Sequence, residues 1–291
     1  MNTMKKLMFT AAAALCATVG MANIESANIV GYTTYGTQAK RQPSFGASFL
    51  PMSGAKTYKL GDLKPADFDV DNDAIQIINP STLGADAIYV YMSKEIADAA
   101  AEADGEEPGA YDELVGWWDA FAGVGEDGAK ADDVDINVGQ AFLGWFDSGN
   151  DSGFTSSGDV PLTTTAIKTG GKRQPFFASY IPTTIKLGDI VPEGFDVDND
   201  AIQVINPATL GADAIYVYMS KEIADAAAEA DGEEPGAYDE LVGWWDAFIG
   251  VGEDDSKSDD VDVAPGASYL GLFDSGNDIQ FNFPPSVKKA E

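Results

Sequence analysis

Two groups of side chains have the types and spacing to do chemistry. In Asp69-Val70-Asp71-Asn72-Asp73, carboxylates stand at alternate positions, and the same arrangement returns at Asp196, Asp198 and Asp200. Alternate oxygen ligands are how calcium loops surround a hard cation, and a short extracellular loop of this kind binds at about 10⁻⁴–10⁻³ M. The match to an EF-hand is incomplete, because the sixth position is Ala74 rather than Gly and the twelfth is Pro80 rather than Glu. The competing reading is a polar turn that opens a strand over 75–78. The second group is aromatic: Trp117-Trp118 and Trp244-Trp245. Flat indole faces stack on sugar rings while neighbouring carboxylates accept bonds from hydroxyls, which makes these four residues a candidate carbohydrate-binding platform. Large aromatics also dominate core burial, so packing is the alternative. At the position equivalent to Trp145 stands Leu272, an apolar exchange suited to packing.

Other chemistries are removed by composition. The chain has no histidine and a single cysteine, Cys16. Lys5 and Lys6, an apolar run over 7–19 and the small residues of Gly20-Met21-Ala22 together read as a secretory signal peptide, residues 1–22, cleaved after Ala22. The expected mature chain then has neither Cys nor His, which leaves no disulfide, no Cys nucleophile, no Ser-His-Asp triad and no ordinary zinc, haem or copper site. Carboxylates are so numerous that a glycosidase pair can be drawn anywhere, and abundance of that kind is no indication of one. A Lys-assisted Ser would need a strand-turn-helix elbow, and none is legible. The expectation is therefore a protein without catalysis and without an obligatory cofactor, calcium aside.

Charge narrows the partners. Of 17 basic residues two lie in the leader, against 48 acidic residues, so the mature chain carries −33. Such a field repels nucleic acid and anionic membranes. No later apolar run approaches the roughly 20 residues of a spanning helix. Expected partners are other surface or matrix proteins, glycans, or further copies of the chain.

The elements that must position these residues come in duplicate. Residues 68–121 return at 195–248, offset by 127, with two changes: Ile77 becomes Val204 and Ser81 becomes Ala208. A period of that length is a whole domain rather than a solenoid repeat. The sequence predicts strands over 28–35, 45–50, 74–79, 87–92 and 141–146, with counterparts in the second copy. Tyr89 and Tyr91 alternate with aliphatics, so both faces of that strand should be covered. Ser93 is an N-cap for a helix over 94–103, which must dock through Ile96, Ala99, Ala100 and Ala103. Over 111–121 helix and strand compete, since Leu114, Trp117, Trp118 and Phe121 fit helical spacing while Gly116, Gly123 and Gly125 oppose it. The Gly/Ser/Asp-rich stretch 147–159 reads as a linker that also makes turns. The expected architecture is mainly β: two tandem homologous β-sandwich or barrel-like domains, each with a short helical insertion. Residues 23–150 form the first β-rich domain, 151–158 the linker and 159–291 the second domain.

The segment Asn23-Ile24-Glu25-Ser26-Ala27-Asn28-Ile29-Val30-Gly31-Tyr32, directly after the leader, resembles the opening of a family of exported β-rich proteins of verrucomicrobial and lentisphaeral bacteria, which begin ESANIVGY. Their later motifs are matched by Leu60-Gly61-Asp62-Leu63, Asp71-Asn72-Asp73-Ala74-Ile75-Gln76, Tyr89-Val90-Tyr91, Gly116-Trp117-Trp118-Asp119 and Val138-Gly139-Gln140-Ala141-Phe142. The chain departs from them at Lys40-Arg41-Gln42-Pro43 and in the alanine-rich helix. The resemblance implies a secreted or cell-surface β-rich module and carries over no catalytic residue. The expected function is structural or adhesive, at the cell surface or in secreted matrix; the alternative is a carbohydrate-binding module built on the paired tryptophans.

Overall fold

A computed structural model describes residues 30–37, 39, 44–45, 58–81, 85–206 and 211–286. The leader, the start of the ESANIVGY segment and Lys40-Arg41-Gln42-Pro43 lie outside the described residues.

The protein is mainly β, with antiparallel pairing throughout. Its first half runs β1 (Val30–Gly36), β2 (Ser44–Phe45), β3 (Tyr58–Lys59), β4 (Lys64–Ala66), β5 (Asp73–Ile78), β6 (Ala85–Met92), α1 (Lys94–Ala103), β7 (Gly116–Asp119), β8 (Asp135–Ile136), β9 (Ala141–Phe146) and β10 (Gly153–Asp159). The second half runs β11 (Thr165–Lys168), β12 (Phe176–Ala178), β13 (Ile185–Lys186), β14 (Val191–Glu193), β15 (Asp200–Asn206), β16 (Gly211–Met219), α2 (Lys221–Ala230), β17 (Gly243–Asp246), β18 (Asp262–Val263), β19 (Ser268–Phe273) and β20 (Gln280–Phe283). Each half contains a five-stranded sheet, ordered β2-β9-β5-β6-β7 or β12-β19-β15-β16-β17. A three-stranded sheet accompanies each, β1-β10-β4 or β11-β20-β14, together with a two-stranded ribbon, β3-β8 or β13-β18.

Side-chain alternation places the core. On β5 the inward set is Asp73, Ile75 and Ile77; on β9 it is Phe142, Gly144 and Phe146. Tyr89 and Tyr91 on β6 and Trp117 on β7 join them, and Phe154 from β10 closes the cluster from the smaller sheet. Gly144 is required where it stands, since a Cβ there would lie 2.0 Å from the Phe146 ring. The opposite face of the sheet carries Met92 and Trp118, which pack against α1. Both faces of β6 are therefore covered, its tyrosines by the aromatic core and its aliphatics by the helix layer.

Ser93 caps α1, accepting the Ile96 N–H at 3.2 Å. The docking face differs from the expected one. Ala97 and Ala101 are the buried residues, with Ile96 beside them, while Ala99 and Ala103 are exposed. Alanine occupies both stripes of this helix, so periodicity alone does not choose between them. The segment 111–121 is not a helix: a single 3-10 turn, Asp112–Leu114, leads into β7.

The expected linker is a correction too. Residues 153–159 form β10, the central strand of the three-stranded sheet, paired with β1 from Val30↔Asp159 to Gly36↔Gly153 and with β4 on its other edge. Phe154 is buried and contacts Phe68 and Phe146 edge-on, with ring centroids 6.5 and 6.0 Å apart. The first half therefore ends at Asp159, and the second half's sheets begin with β11.

The halves meet through an apolar cluster of Ile78 and Ala141 with Phe176, Ala178, Ile205 and Leu270. Hydrogen bonds cross the junction from Ala178 N–H to Gly139 O at 3.1 Å and from Ser81 Oγ to Lys168 O at 3.0 Å. Ser81 is one of only two differences within the repeated 54-residue block, and its hydroxyl makes a bond that Ala208 lacks the atom to make. No helix among the described residues is long and apolar enough to cross a membrane.

The position of β10 generates a prediction. A fragment spanning 23–159 should unfold in one cooperative transition. A fragment spanning 23–150 loses a central strand and a buried phenylalanine, and loss of such a ring alone costs about 3–5 kcal/mol. Urea unfolding followed by circular dichroism should show the shorter fragment without a cooperative transition; equal midpoints would contradict the boundary.

Candidate functional site

The paired tryptophans are explained by strand alternation. On β7 neighbouring residues point to opposite faces, so Trp117 enters the aromatic core and Trp118 enters the layer beneath α1. Trp117 is 0% exposed, and its indole N–H donates to Leu63 O at 2.7 Å. Its ring lies 5.5 Å from Phe68 and 5.1 Å from Tyr91. Trp118 donates to Leu114 O at 2.8 Å, and Lys130 Nζ sits 4.5 Å above its ring. The second half repeats this. Trp244 is 0% exposed and donates to Ile190 O at 2.8 Å; Trp245 donates to Leu241 O at 2.8 Å beneath Lys257 Nζ at 4.9 Å. A sugar platform needs open indole faces. All four indoles are buried, and the outer pair is roofed by lysine, so the platform expected of Trp117, Trp118, Trp244 and Trp245 is not formed.

The backbone around Trp117 is held by Asp132. Its Oδ1 accepts the Trp117 N–H at 2.8 Å and its Oδ2 lies 3.3 Å from Lys130 Nζ. Gly116, at φ 131°, makes room, since a Cβ there would stand 2.5 Å from the Asp132 carboxylate. Lys130 Nζ also donates to Glu113 O and Val115 O. Asp259 and Lys257 take the same parts in the second half. Burial, and then the Asp132 and Glu95 charges, raise the Tyr91 phenol above its ordinary value; burial and Asp259 do the same at Tyr218. These phenols stay protonated at neutral pH and serve the core.

The alternate aspartates build a turn. Asp69 Oδ1 accepts the Asp71 N–H at 3.0 Å, and Oδ2 accepts the Asn72 side-chain amide at 3.0 Å. Asp73 is buried. Its Oδ2 accepts the Asp69 N–H at 2.9 Å and the Ser148 hydroxyl at 2.8 Å, while Oδ1 accepts the Ser148 N–H at 3.1 Å. Asp196, Asp198 and Asp200 repeat the turn, with Asp200 Oδ2 on the Asp196 N–H at 2.9 Å and Oδ1 on the Ser275 N–H at 3.1 Å. The carboxylates of Asp69, Asp73, Asp196 and Asp200 thus accept from N–H and O–H donors, and Asp71 and Asp198 contribute a backbone N–H to the turn. Among the described residues no group of three or more His, Cys, Asp or Glu is disposed to hold a metal. What Asp73 does is join the turn before β5 to the segment after β9, two stretches 75 positions apart.

An open depression of about 690 Å³ lies between β4, the Asp69 turn and the start of α1. Asp67, Asp69 and Glu95 line it together with Phe68 and Ile96.

The sequence did not single out Phe121 and Phe248 as exposed side chains in the turns after β7 and β17. They are 82% and 78% exposed. Phe121 fits the same helical spacing as Trp117 and Trp118, which does not by itself mark it as exposed. The signal that finds it is Asp119, whose Oδ1 accepts the Phe121 N–H at 2.8 Å in a side-chain turn that reverses the chain.

No protein-family model, no curated protein sequence and no solved structure matches the chain.

The Asp73 geometry predicts the following. Asp73→Asn puts an amide donor among groups that all donate, and hydrogen bonds to a charged acceptor are worth about 1.5–3 kcal/mol each. The variant should lose about 2–4 kcal/mol of stability in EDTA, and CaCl2 and NaCl at equal ionic strength should shift the wild-type melting temperature equally. A calcium-specific gain that Asp73→Asn abolishes, with wild-type stability in EDTA, would restore the metal site.

Proposed function

We propose that the chain is a structural or adhesive protein, exported through its leader to the cell surface or a secreted matrix, and working without catalysis. The observation that carries this reading is the fate of the chemically capable residues. The paired tryptophans are core, the alternate aspartates hold turns, and the lysines beside them tie down carbonyls and carboxylates. What remains on the outside is an acidic surface with an exposed phenylalanine in each half. The docking of the two halves through Ile78, Ala141, Phe176 and Ala178 supports a load-bearing or spacing role, because the repeats are packed together rather than strung on a free linker. Composition supports partners that are not nucleic acid or anionic lipid, since net charge −31 opposes both.

The experiment combines location with dosage. Native protein should be recovered from the surface or medium fraction with its N-terminus at Asn23. Deleting the gene should weaken cell cohesion, and adding back purified mature chain should restore it in proportion to the amount bound. Intact leader on cytoplasmic protein, or restoration by trace amounts as an enzyme would give, would overturn the proposal.

A further inference from the structure

Phe121 and Phe248 are large apolar side chains that the fold holds out in water. Each is anchored at its base. Asp119 Oδ1 accepts the N–H of Phe121 at 2.8 Å and of Ala122 at 3.3 Å, the Ala120 N–H bonds Ile88 O at 2.8 Å, and the Gly123 N–H returns to Asp119 O at 2.9 Å. The Phe248 N–H bonds Asp246 Oδ1 at 2.8 Å, with the Ala247 N–H on Ile215 O and the Gly250 N–H on Asp246 O. A side chain carried on a backbone already held by such bonds has less freedom left to lose on binding, which is the condition under which an exposed aromatic becomes a binding anchor. In the second half Ile249, 50% exposed, replaces Ala122 and enlarges the apolar tip.

The surroundings state what kind of surface can cover these tips. Glu126 and Asp127 follow Phe121 and are exposed, and Glu126 Cγ lies within 3.6 Å of where a Cβ on Gly123 would stand. Glu253, Asp254 and Asp255 are exposed at the same place in the second half. An apolar tip with carboxylates beside it complements an apolar recess bordered by Lys or Arg. A second copy of this acidic chain, nucleic acid and an anionic membrane all present the wrong charge. We propose that Phe121 and Phe248 are paired anchors for a cationic protein surface that offers apolar recesses. This deepens the adhesive reading, on which it rests for its setting, by naming the chemistry of the partner. Two equivalent tips on one chain make the contact bivalent, so an array of such recesses is held more tightly than one.

The test uses the full mature chain and an immobilised amphipathic helical peptide of Lys and Leu, with a Lys/Ser peptide of equal charge as control. Wild type should bind the Lys/Leu peptide more tightly than the control. The double variant Phe121→Ser, Phe248→Ser should weaken that binding about tenfold or more, and each single variant less, as loss of anchor residues does. Binding to the Lys/Ser peptide and the melting temperature should not change, because both rings are exposed. Equal binding of wild type and double variant, or no preference for Lys/Leu, would overturn the proposal. So would a Phe-dependent dimer of the chain alone in sedimentation, which would make the occupant a second copy. If the protein proves cytoplasmic while the Phe-dependent binding holds, the adhesive setting fails and the anchors stand.

Discussion

The bond from the Trp117 indole to the Leu63 carbonyl is buried at both ends, and the fold of the first half converges on it. Trp117 belongs to the edge strand of the five-stranded sheet, whereas Leu63 ends the 3-10 turn Leu60–Asp62 that leads into β4 of the smaller sheet. One hydrogen bond therefore ties the two layers together where water cannot replace it. An unpaired indole N–H or carbonyl at such a place costs about 1–3 kcal/mol. Phe68 reinforces the junction, meeting Trp117, Tyr91, Phe146 and Phe154 edge-on, with centroids 5.5 to 6.5 Å away. The second half uses Trp244, Ile190 and Phe195 in the same way.

This constraint explains why the acids nearest the core are structural. Asp132 fixes the backbone of Trp117, and Asp73 ties the turn before β5 to the loop beyond β9. The remaining acids stay in solvent, where many are spaced by lysines. Lys94 lies 3.0 Å from Asp98 and 2.7 Å from Asp112, and Lys221 repeats the pattern. Exposed pairs of this kind contribute little singly, about 0–1 kcal/mol. Their part is to lower repulsion across the acidic surface, and the aromatic cores supply the cohesion.

Much of this was legible in the sequence. The alternation in Ile88-Tyr89-Val90-Tyr91-Met92, the Ser93 cap and the β-rich class follow from local rules. Trp117-Trp118 was harder, because four residues of strand and one turn of helix share apolar spacing over so short a run, and only pairing of Tyr91 with Trp117 decides. Residues 153–159 read as a linker because Ser156 and Gly158 leave Phe154 as the one large apolar residue of the inward set; their partners are β1 and β4, far away in the chain. Asp73 looked like a metal ligand for the same reason, since its donors come from Ser148. Phe121 shares helical spacing with Leu114, Trp117 and Trp118, so spacing alone does not show that its ring stands in solvent.

The two aromatic cores depend on the paired tryptophans being interior. Five tryptophans are present, and Trp145 alone is partly exposed. Replacing it with leucine, the residue found at position 272, leaves four buried indoles. The decisive measurement is quenching of tryptophan fluorescence in Trp145→Leu by acrylamide, a neutral quencher that the acidic surface does not repel. The native protein should be quenched far less than the urea-unfolded chain, with emission blue-shifted until the unfolding midpoint. Quenching of the native protein as strong as that of the unfolded chain would place the tryptophans at the surface and contradict the account.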